Sequence, residues 1–130
     1  MSKKLEFDAT VVSVDEQDEA YIVGFADDAM EPSQYIILQR STEEDEQDDE
    51  LGLNTYFLEI GNPSVSGYGG ISSAKLKHSQ MELNLRQPSD YANEVEQIIV
   101  RFHASQEERE QLARHLELIF RDSDCALNIG

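Results

Sequence analysis

Residues 105–120 read SQEEREQLARHLELIF, and this stretch decides the fold class because it is the one strong helical pattern in the chain. Ser105 and Glu108 have the spacing of a capping box, in which each side chain bonds the backbone N–H of the other residue. Apolar residues then recur along a single helical face: Leu112, Leu116, Ile119 and Phe120. The pattern predicts a C-terminal helix that buries one stripe against a sheet.

The chain upstream of this helix alternates apolar and polar residues with the period of β-strands. Seven strands are predicted, around residues 5–14, 21–25, 35–39, 55–60, 74–76, 81–85 and 98–102. The first two are expected to form an antiparallel hairpin, with a bulge at Gly24. A second hairpin, turning at residues 78–80, should bring Lys75 and Lys77 near Glu82 on the solvent face.

These elements predict an α+β fold class. We expect one domain spanning residues 1–130, with a single largely antiparallel, twisted sheet of about six or seven strands and the C-terminal helix packed on one face. One helix covers only one face of such a sheet. The opposite face would then carry four apolar or aromatic residues: Val12, Tyr35, Ile37 and Phe57. We expect loops at residues 27–34 and 61–70 to close it, with a partner protein as the alternative.

Charge is the most unusual property of this sequence. The formal net charge is -17, and residues 5–50 hold sixteen carboxylates against the single base Arg40. The excess peaks at residues 43–50, where seven of eight positions are acidic. Such a field repels nucleic acid and anionic lipid, whereas it attracts a cationic protein. The acidic run is therefore either a solubilising loop or a partner contact.

No pattern of catalysis or metal binding accompanies this charge. His78, His103 and His115 lack metal-ligand spacing, and Cys125 lies beside aspartates that would raise its thiol pKa. The acidic run lacks the glycine and the final glutamate of a calcium loop. We expect no enzyme activity, no metal and no cofactor. With one cysteine, no secretory leader pattern and no apolar run of ~20 residues, the sequence predicts a cytoplasmic protein.

Four strings of the sequence resemble a bacterial family of immunity proteins, the tenth described for polymorphic toxin systems. In chain order they are YIVGFADD at residues 21–28, YIILQR at residues 35–40, DEQDDELGLNTY at residues 45–56 and SGYGGI at residues 66–71. The resemblance implies a cytoplasmic antidote that neutralises a cognate toxin domain by occlusion and has no catalytic residues. It also implies roles for Arg40, which we interpret as an internal ion-pair partner of Asp27 or Asp49, and for three glycines at positions 24, 52 and 70, which we interpret as backbone requirements.

Partner-binding residues are predicted from the acidic run together with this resemblance. They are Glu43, Glu44, Asp45, Glu46, Asp48, Asp49, Glu50, Asp27, Asp28, Tyr56 and Tyr68. The expected partner is a cationic toxin domain, with neither nucleic acid nor membrane involved, and the chain itself is expected to be a monomer or a weak homodimer. The alternatives are a nucleic-acid mimic that inhibits another protein, another small regulatory protein, and a calcium-binding protein.

Overall fold

The fold is α+β, and the residues that the structure describes form two five-stranded sheets and one helix. The computed structural model describes residues 4–17, 19–31, 33–42, 56–61, 65–86, 95–121, 123 and 125–129. Within these residues the elements are β1 (Lys4–Asp8), β2 (Val11–Gln17), β3 (Ala20–Ala26), β4 (Tyr35–Ser41), β5 (Phe57–Ile60), β6 (Ser66–Tyr68), β7 (Ile71–Leu76), β8 (Gln80–Leu85), β9 (Gln97–Arg101), α1 (Gln106–Ile119) and β10 (Ala126–Ile129).

The two sheets differ in how their strands are ordered. Sheet 1 has the order β1-β9-β8-β7-β10, and sheet 2 has the order β2-β3-β4-β5-β6. Sheet 2 is antiparallel throughout and follows chain order. In sheet 1 the central pairs are antiparallel, whereas the edge strands β1 and β10 join in parallel. The first and last strands of the chain therefore form the two edges of sheet 1.

One hydrophobic cluster contains residues from both sheets and from the helix. Each strand contributes alternate side chains to it, as expected for a sheet with one buried face. Phe25 on β3 contacts Phe102, which follows β9, with ring centroids 5.4 Å apart. Tyr56, just before β5, accepts a hydrogen bond from the backbone N–H of Ile71 on β7 at 2.7 Å. We call the face of each sheet that enters this cluster its inner face.

Helix α1 packs on the inner face of sheet 2. The predicted capping box is confirmed: Ser105 Oγ accepts from the N–H of Glu108, and Glu108 Oε1 accepts from the N–H of Ser105, both at 3.1 Å. The predicted stripe is confirmed as well, because its four residues are buried: Leu112, Leu116, Ile119 and Phe120. The rings of Tyr21 on β3 and His115 meet edge to face at 5.9 Å.

Among the residues that the structure describes, Arg40 is the charged side chain that is buried on the inner face, with 4% of its surface exposed. It extends from β4 to the end of α1, where its guanidinium donates to the backbone carbonyls of Ile119 and Arg121. The last carbonyls of a helix lack partners within the helix and carry its negative dipole end. A buried arginine at this position donates hydrogen bonds to these carbonyls and places a positive charge at the negative end of the dipole. Arg40 therefore holds the end of the helix against sheet 2.

The prediction of a single sheet is wrong, and the chain between β1 and β2 shows why. The backbone N–H of Ala9 donates to Arg101 of sheet 1 at 2.7 Å, whereas that of Thr10 donates to Ala26 of sheet 2 at 2.9 Å. One predicted strand is therefore two strands in different sheets. The crossing shifts the alternation by one residue, so Val12 points into the core instead of toward the opposite face.

Three smaller expectations also change. Gly24 pairs in continuous register with Ser13 and Ile37, so it forms no bulge. The segment predicted to fold back at residues 61–70 contains β6, which extends sheet 2 along its edge. Strand β10 was not predicted, because four residues are too short for a clear period. The hairpin at residues 78–80 is confirmed, with Lys77 Nζ 3.0 Å from Glu82 Oε1.

We predict that Leu116→Ala lowers the free energy of unfolding by about 2–5 kcal/mol. Leu116 is fully buried, and truncating such a side chain loses its transfer free energy and leaves a cavity. The measurement is urea unfolding followed by circular dichroism. Leu118→Ala is the matched control, since Leu118 is on the same helix and only half-buried. Equal losses in the two variants would contradict the assignment of the buried stripe.

Candidate functional site

The outer faces of the two sheets, which point away from the shared core, have different chemistry. The outer face of sheet 1 carries charged side chains in pairs. Arg101 bonds both Glu6 and Asp8, at 2.6 and 2.7 Å, and Lys77 bonds Glu82. That is the ordinary composition of a solvated sheet face. The outer face of sheet 2 instead has an apolar central area, around Val11, Ile22 and Ile37, and an apolar area of this kind marks an interaction site.

A groove lies on this outer face and encloses about 360 Å³. Its lining is predominantly apolar and comes from β2, β3 and β4, with Val11, Ile22, Gly24, Ala26 and Ile37 among its residues. We call it the sheet 2 groove. Its volume falls within the range of clefts that hold a ligand, about 300–1,000 Å³.

The strand register explains why the face is concave. Ser13, Gly24 and Ile37 are aligned across β2, β3 and β4 in one row. Because Ser13 is small and Gly24 has no side chain, this row is low at its centre. The neighbouring rows carry larger groups, including Tyr35 on one side and Ile22 on the other. The floor of the groove is therefore set by the missing side chain at Gly24.

One wall of the groove is a hydrogen-bonded pair. The hydroxyl of Tyr35 on β4 donates to Glu59 Oε2 on β5 at 2.6 Å. This bond to the carboxylate, aided by burial, raises the pKa of the Tyr35 phenol, so the hydroxyl keeps its proton. The pair places one fixed negative charge beside an apolar cavity.

Two aromatic residues extend the same face toward the β6 edge. Phe57 on β5 and Tyr68 on β6 are register partners, and their rings meet edge to face with centroids 5.3 Å apart. Tyr68 has 51% of its surface exposed, which is unusual for a large hydrophobic residue of this protein. Of the predicted partner-binding residues, Tyr68 is the one that presents an aromatic surface to solvent next to the groove.

Asp27 and Asp28 lie in the loop between β3 and β4, at one end of the same sheet. Asp27 accepts from the backbone N–H of Ser33 at 2.9 Å, from the Ser33 hydroxyl at 2.6 Å and from the N–H of Gln34 at 3.2 Å. These bonds hold the pKa of the Asp27 carboxyl below its usual value. Asp28 accepts from the N–H groups of Met30 and Glu31. Both carboxylates therefore shape this loop.

The remaining predicted residues are placed elsewhere. Tyr56 is 2% exposed, and its hydroxyl is bonded in the core, so it supports sheet 2 from the inner side. The acidic run lies outside the described residues: Glu43, Glu44, Asp45, Glu46, Asp48, Asp49 and Glu50. The pairing of Arg40 with Asp27 or Asp49 also stays a prediction. The hydrogen bonds described for Arg40 go to backbone carbonyls at and just after the end of α1, and Asp49 lies outside the described residues.

Sequence reasoning found part of this surface. Tyr35, Ile37 and Phe57 were expected on the face opposite the helix, and the register confirms that position. Ile22 and Glu59 were not singled out. The available signal for Ile22 is an apolar residue on the second face of its strand, and that for Glu59 is the single charge in the apolar stretch 56–60. Neither signal says which face of the sheet meets the core.

The described residues give no support to a reactive centre. Among them, no three histidine, cysteine or acidic side chains are grouped to hold a metal ion. Cys125 is buried, and burial raises the pKa of its thiol to about 11. The direction of the pKa shift is the predicted one, but its described cause is burial, partly opposed by the positive charge of Arg86, and the two aspartates lie outside the described residues. In the described part of the chain, no helix has the length and apolarity needed to cross a bilayer.

Comparison with known proteins gives one family. A family model described as Immunity protein 10 matches residues 8–111, which is well over half of the chain. The match includes every strand of sheet 2 and thus the whole of the sheet 2 groove. No curated protein matches the chain.

We predict that Gly24→Ala raises the free energy of unfolding by about 0.5–1 kcal/mol, because a strand glycine loses more conformational freedom on folding than alanine does. The added Cβ would meet its nearest atoms at 3.8 Å, which is ordinary contact. Thermal melting is the measurement. Gly61→Ala is the matched control and should destabilise, since Gly61 has φ +63°. A loss of stability in Gly24→Ala would show that the groove floor is closed.

We predict that Asp27 contributes stability above the ordinary pKa of its carboxyl, 3.8, and that the contribution is lost as the pH falls through the lower folded-state pKa. Wild type should therefore exceed Asp27→Asn in stability by a constant margin from pH 5 to 7 and by a shrinking margin below about pH 4. Urea unfolding from pH 2 to 7 measures this. Parallel curves across that range would contradict the loop-holding role of the carboxylate.

Proposed function

Since this chain belongs to the Immunity protein 10 family, we propose that it binds a cognate toxin domain and neutralises it by occlusion in the cytoplasm. Family membership is the observation that carries the proposal, and it implies a toxin partner. The identity of the partner surface and the mode of neutralisation are our inferences from charge and geometry. Neutralisation by occlusion requires tight binding, and it does not require a catalytic group on this chain.

The charge of the chain supports a cationic toxin. At a net charge of -17, the field around the molecule concentrates positively charged partners and opposes negatively charged ones. A toxin that cleaves nucleic acid has a site built to hold phosphates, so its surface is basic where its substrate binds. An acidic protein that covers such a site competes with the substrate for the same positive charges. We therefore propose a nuclease-like toxin as the partner.

The outer face of sheet 2 supports protein binding in a second way. Interfaces combine a desolvated apolar centre, which provides most of the affinity, with a polar rim. The sheet 2 groove and the Phe57–Tyr68 pair form such an apolar centre. Asp28 and Glu31 are exposed at the β3–β4 end of the sheet, and they supply carboxylates for a rim. The acidic run remains the proposed source of long-range attraction.

We predict that replacing the seven acids of the run with Gln or Asn slows association with the toxin. Long-range attraction raises association rates up to ~10⁸ M⁻¹s⁻¹ at low salt, and added ions screen it. The variant should associate more slowly than wild type and lose most of the salt dependence. Stopped-flow kinetics at two salt concentrations measures both. The probe is an inactivated form of any toxin domain that a gene neighbouring that of this chain is found to encode, and protection of cells that express the active toxin reports function.

A matched control separates the position of the charges from their number. The variant Glu107→Gln, Glu110→Gln and Glu117→Gln removes exposed acids on α1, on the other side of sheet 2 from the groove. Its loss in association rate per removed charge should be smaller than that of the acidic run. Unchanged association and unchanged salt dependence in the seven-site variant would leave the run as a solubilising loop. Failure of wild type to bind the toxin domain would refute the proposed function itself.

A further inference from the structure

We infer that the sheet 2 groove is the docking site for one apolar side chain of the toxin, flanked by an arginine or lysine that binds Glu59. This inference rests on the proposed function and deepens it, because it assigns affinity to a contact surface in addition to long-range attraction. The groove lies on β2, β3 and β4, with Gly24 as its floor and the Tyr35–Glu59 pair as its wall.

The first argument comes from the contrast between the two outer faces. Both belong to the same acidic chain, so a general tendency of this sequence would affect them equally. Sheet 1 follows the ordinary rule and exposes ion pairs, whereas sheet 2 leaves Ile22, Ile37 and Phe57 partly exposed around a concave surface. Leaving such groups in water costs about 25 cal/mol for each Å² of apolar surface that burial would cover. A partner that fills the groove recovers this free energy.

The second argument concerns Glu59. Its Oε2 accepts the hydroxyl of Tyr35, and among the described residues no donor is bonded to its Oε1. Its side chain is half-buried beside an apolar cavity, where water screens the charge less than at an open surface. The Tyr35 bond also fixes the direction of the carboxylate. A guanidinium or ammonium group that enters with an apolar neighbour would thus meet an oriented negative charge at little entropic cost.

The third argument identifies the occupant. A second copy of this chain would bring another charge of -17 against the same face, and like-charge repulsion opposes that contact. The carboxylates of Glu59, Asp28 and Glu31 on or beside this face leave it complementary to positive charge. A cationic toxin surface with one protruding apolar residue fits both the charge and the cavity, so the groove takes a toxin side chain.

The test fills the groove from its floor. Gly24→Val places two methyl groups where the toxin side chain would enter, in a strand position that favours β-branched residues. Binding of the inactivated toxin domain, measured by calorimetry, should weaken by at least about 30-fold, as for a blocked hot-spot pocket. Ala126→Val is the matched control. It adds two methyl groups at an exposed position of β10 on sheet 1, and it should bind as wild type does.

A second variant tests the charge at the wall. Glu59→Gln keeps an acceptor for Tyr35 and removes the negative charge, so the complex should dissociate faster by roughly tenfold while association changes little. This kinetic pattern differs from that of the acidic run, which acts on association. Circular dichroism tests whether each variant is folded. If Gly24→Val does not fold, Gly24→Ala replaces it, with a smaller loss of affinity expected.

The outcomes separate the inference from the proposed function. Binding by wild type together with loss in Gly24→Val and faster dissociation in Glu59→Gln supports the groove. Binding by wild type and equally tight binding by both variants overturns the groove and leaves the proposed function intact. No binding by wild type overturns both. A wild-type dimer in sedimentation that Gly24→Val dissociates would make the groove a self-association surface and overturn the inference.

Discussion

The burial of the inner face of sheet 2 is the constraint on which the rest of the structure depends. Sheet 1 covers part of this face, where Phe25 meets Phe102, and α1 covers another part, where Tyr56 meets Phe120. Apolar burial is the main favourable term in folding, so both layers are held by the same surface. Arg40 adds a directional contact, because its buried guanidinium fixes the end of the helix to β4.

This arrangement decides which surface is left for a partner. With sheet 1 and the helix on the same side of sheet 2, the outer face of sheet 2 has no described layer upon it, although its strands carry apolar side chains. Gly24 makes the centre of that face concave, at a cost to strand stability of about 0.5–1 kcal/mol relative to alanine. A glycine in the interior of a strand often marks a site where a ligand or another backbone approaches closely. Gly24, at the floor of the sheet 2 groove, occupies such a position.

Charge and shape have separate roles in the proposed binding. We propose that the excess of carboxylates acts at long range and sets the association rate with a cationic toxin, and that the groove acts at contact and sets the dissociation rate. Two of the described carboxylates have fixed local roles. Asp27 is used within its own loop, where it accepts three hydrogen bonds, while Glu59 is held by Tyr35 at the edge of the cavity. A neutralising complex benefits from both fast arrival and slow release.

The sequence by itself determined the helix, most strand positions, the α+β class and the acidic field. Ser105 and Glu108 specify a local cap, and alternation specifies strands, because these signals act between near neighbours in the chain. Only the tertiary structure decided that Ala9 and Thr10 belong to different sheets, that Val12 is buried and that Tyr56 lies in the core. Those outcomes depend on which distant strand each backbone group pairs with. A pattern of neighbouring residues in the sequence does not specify that strand.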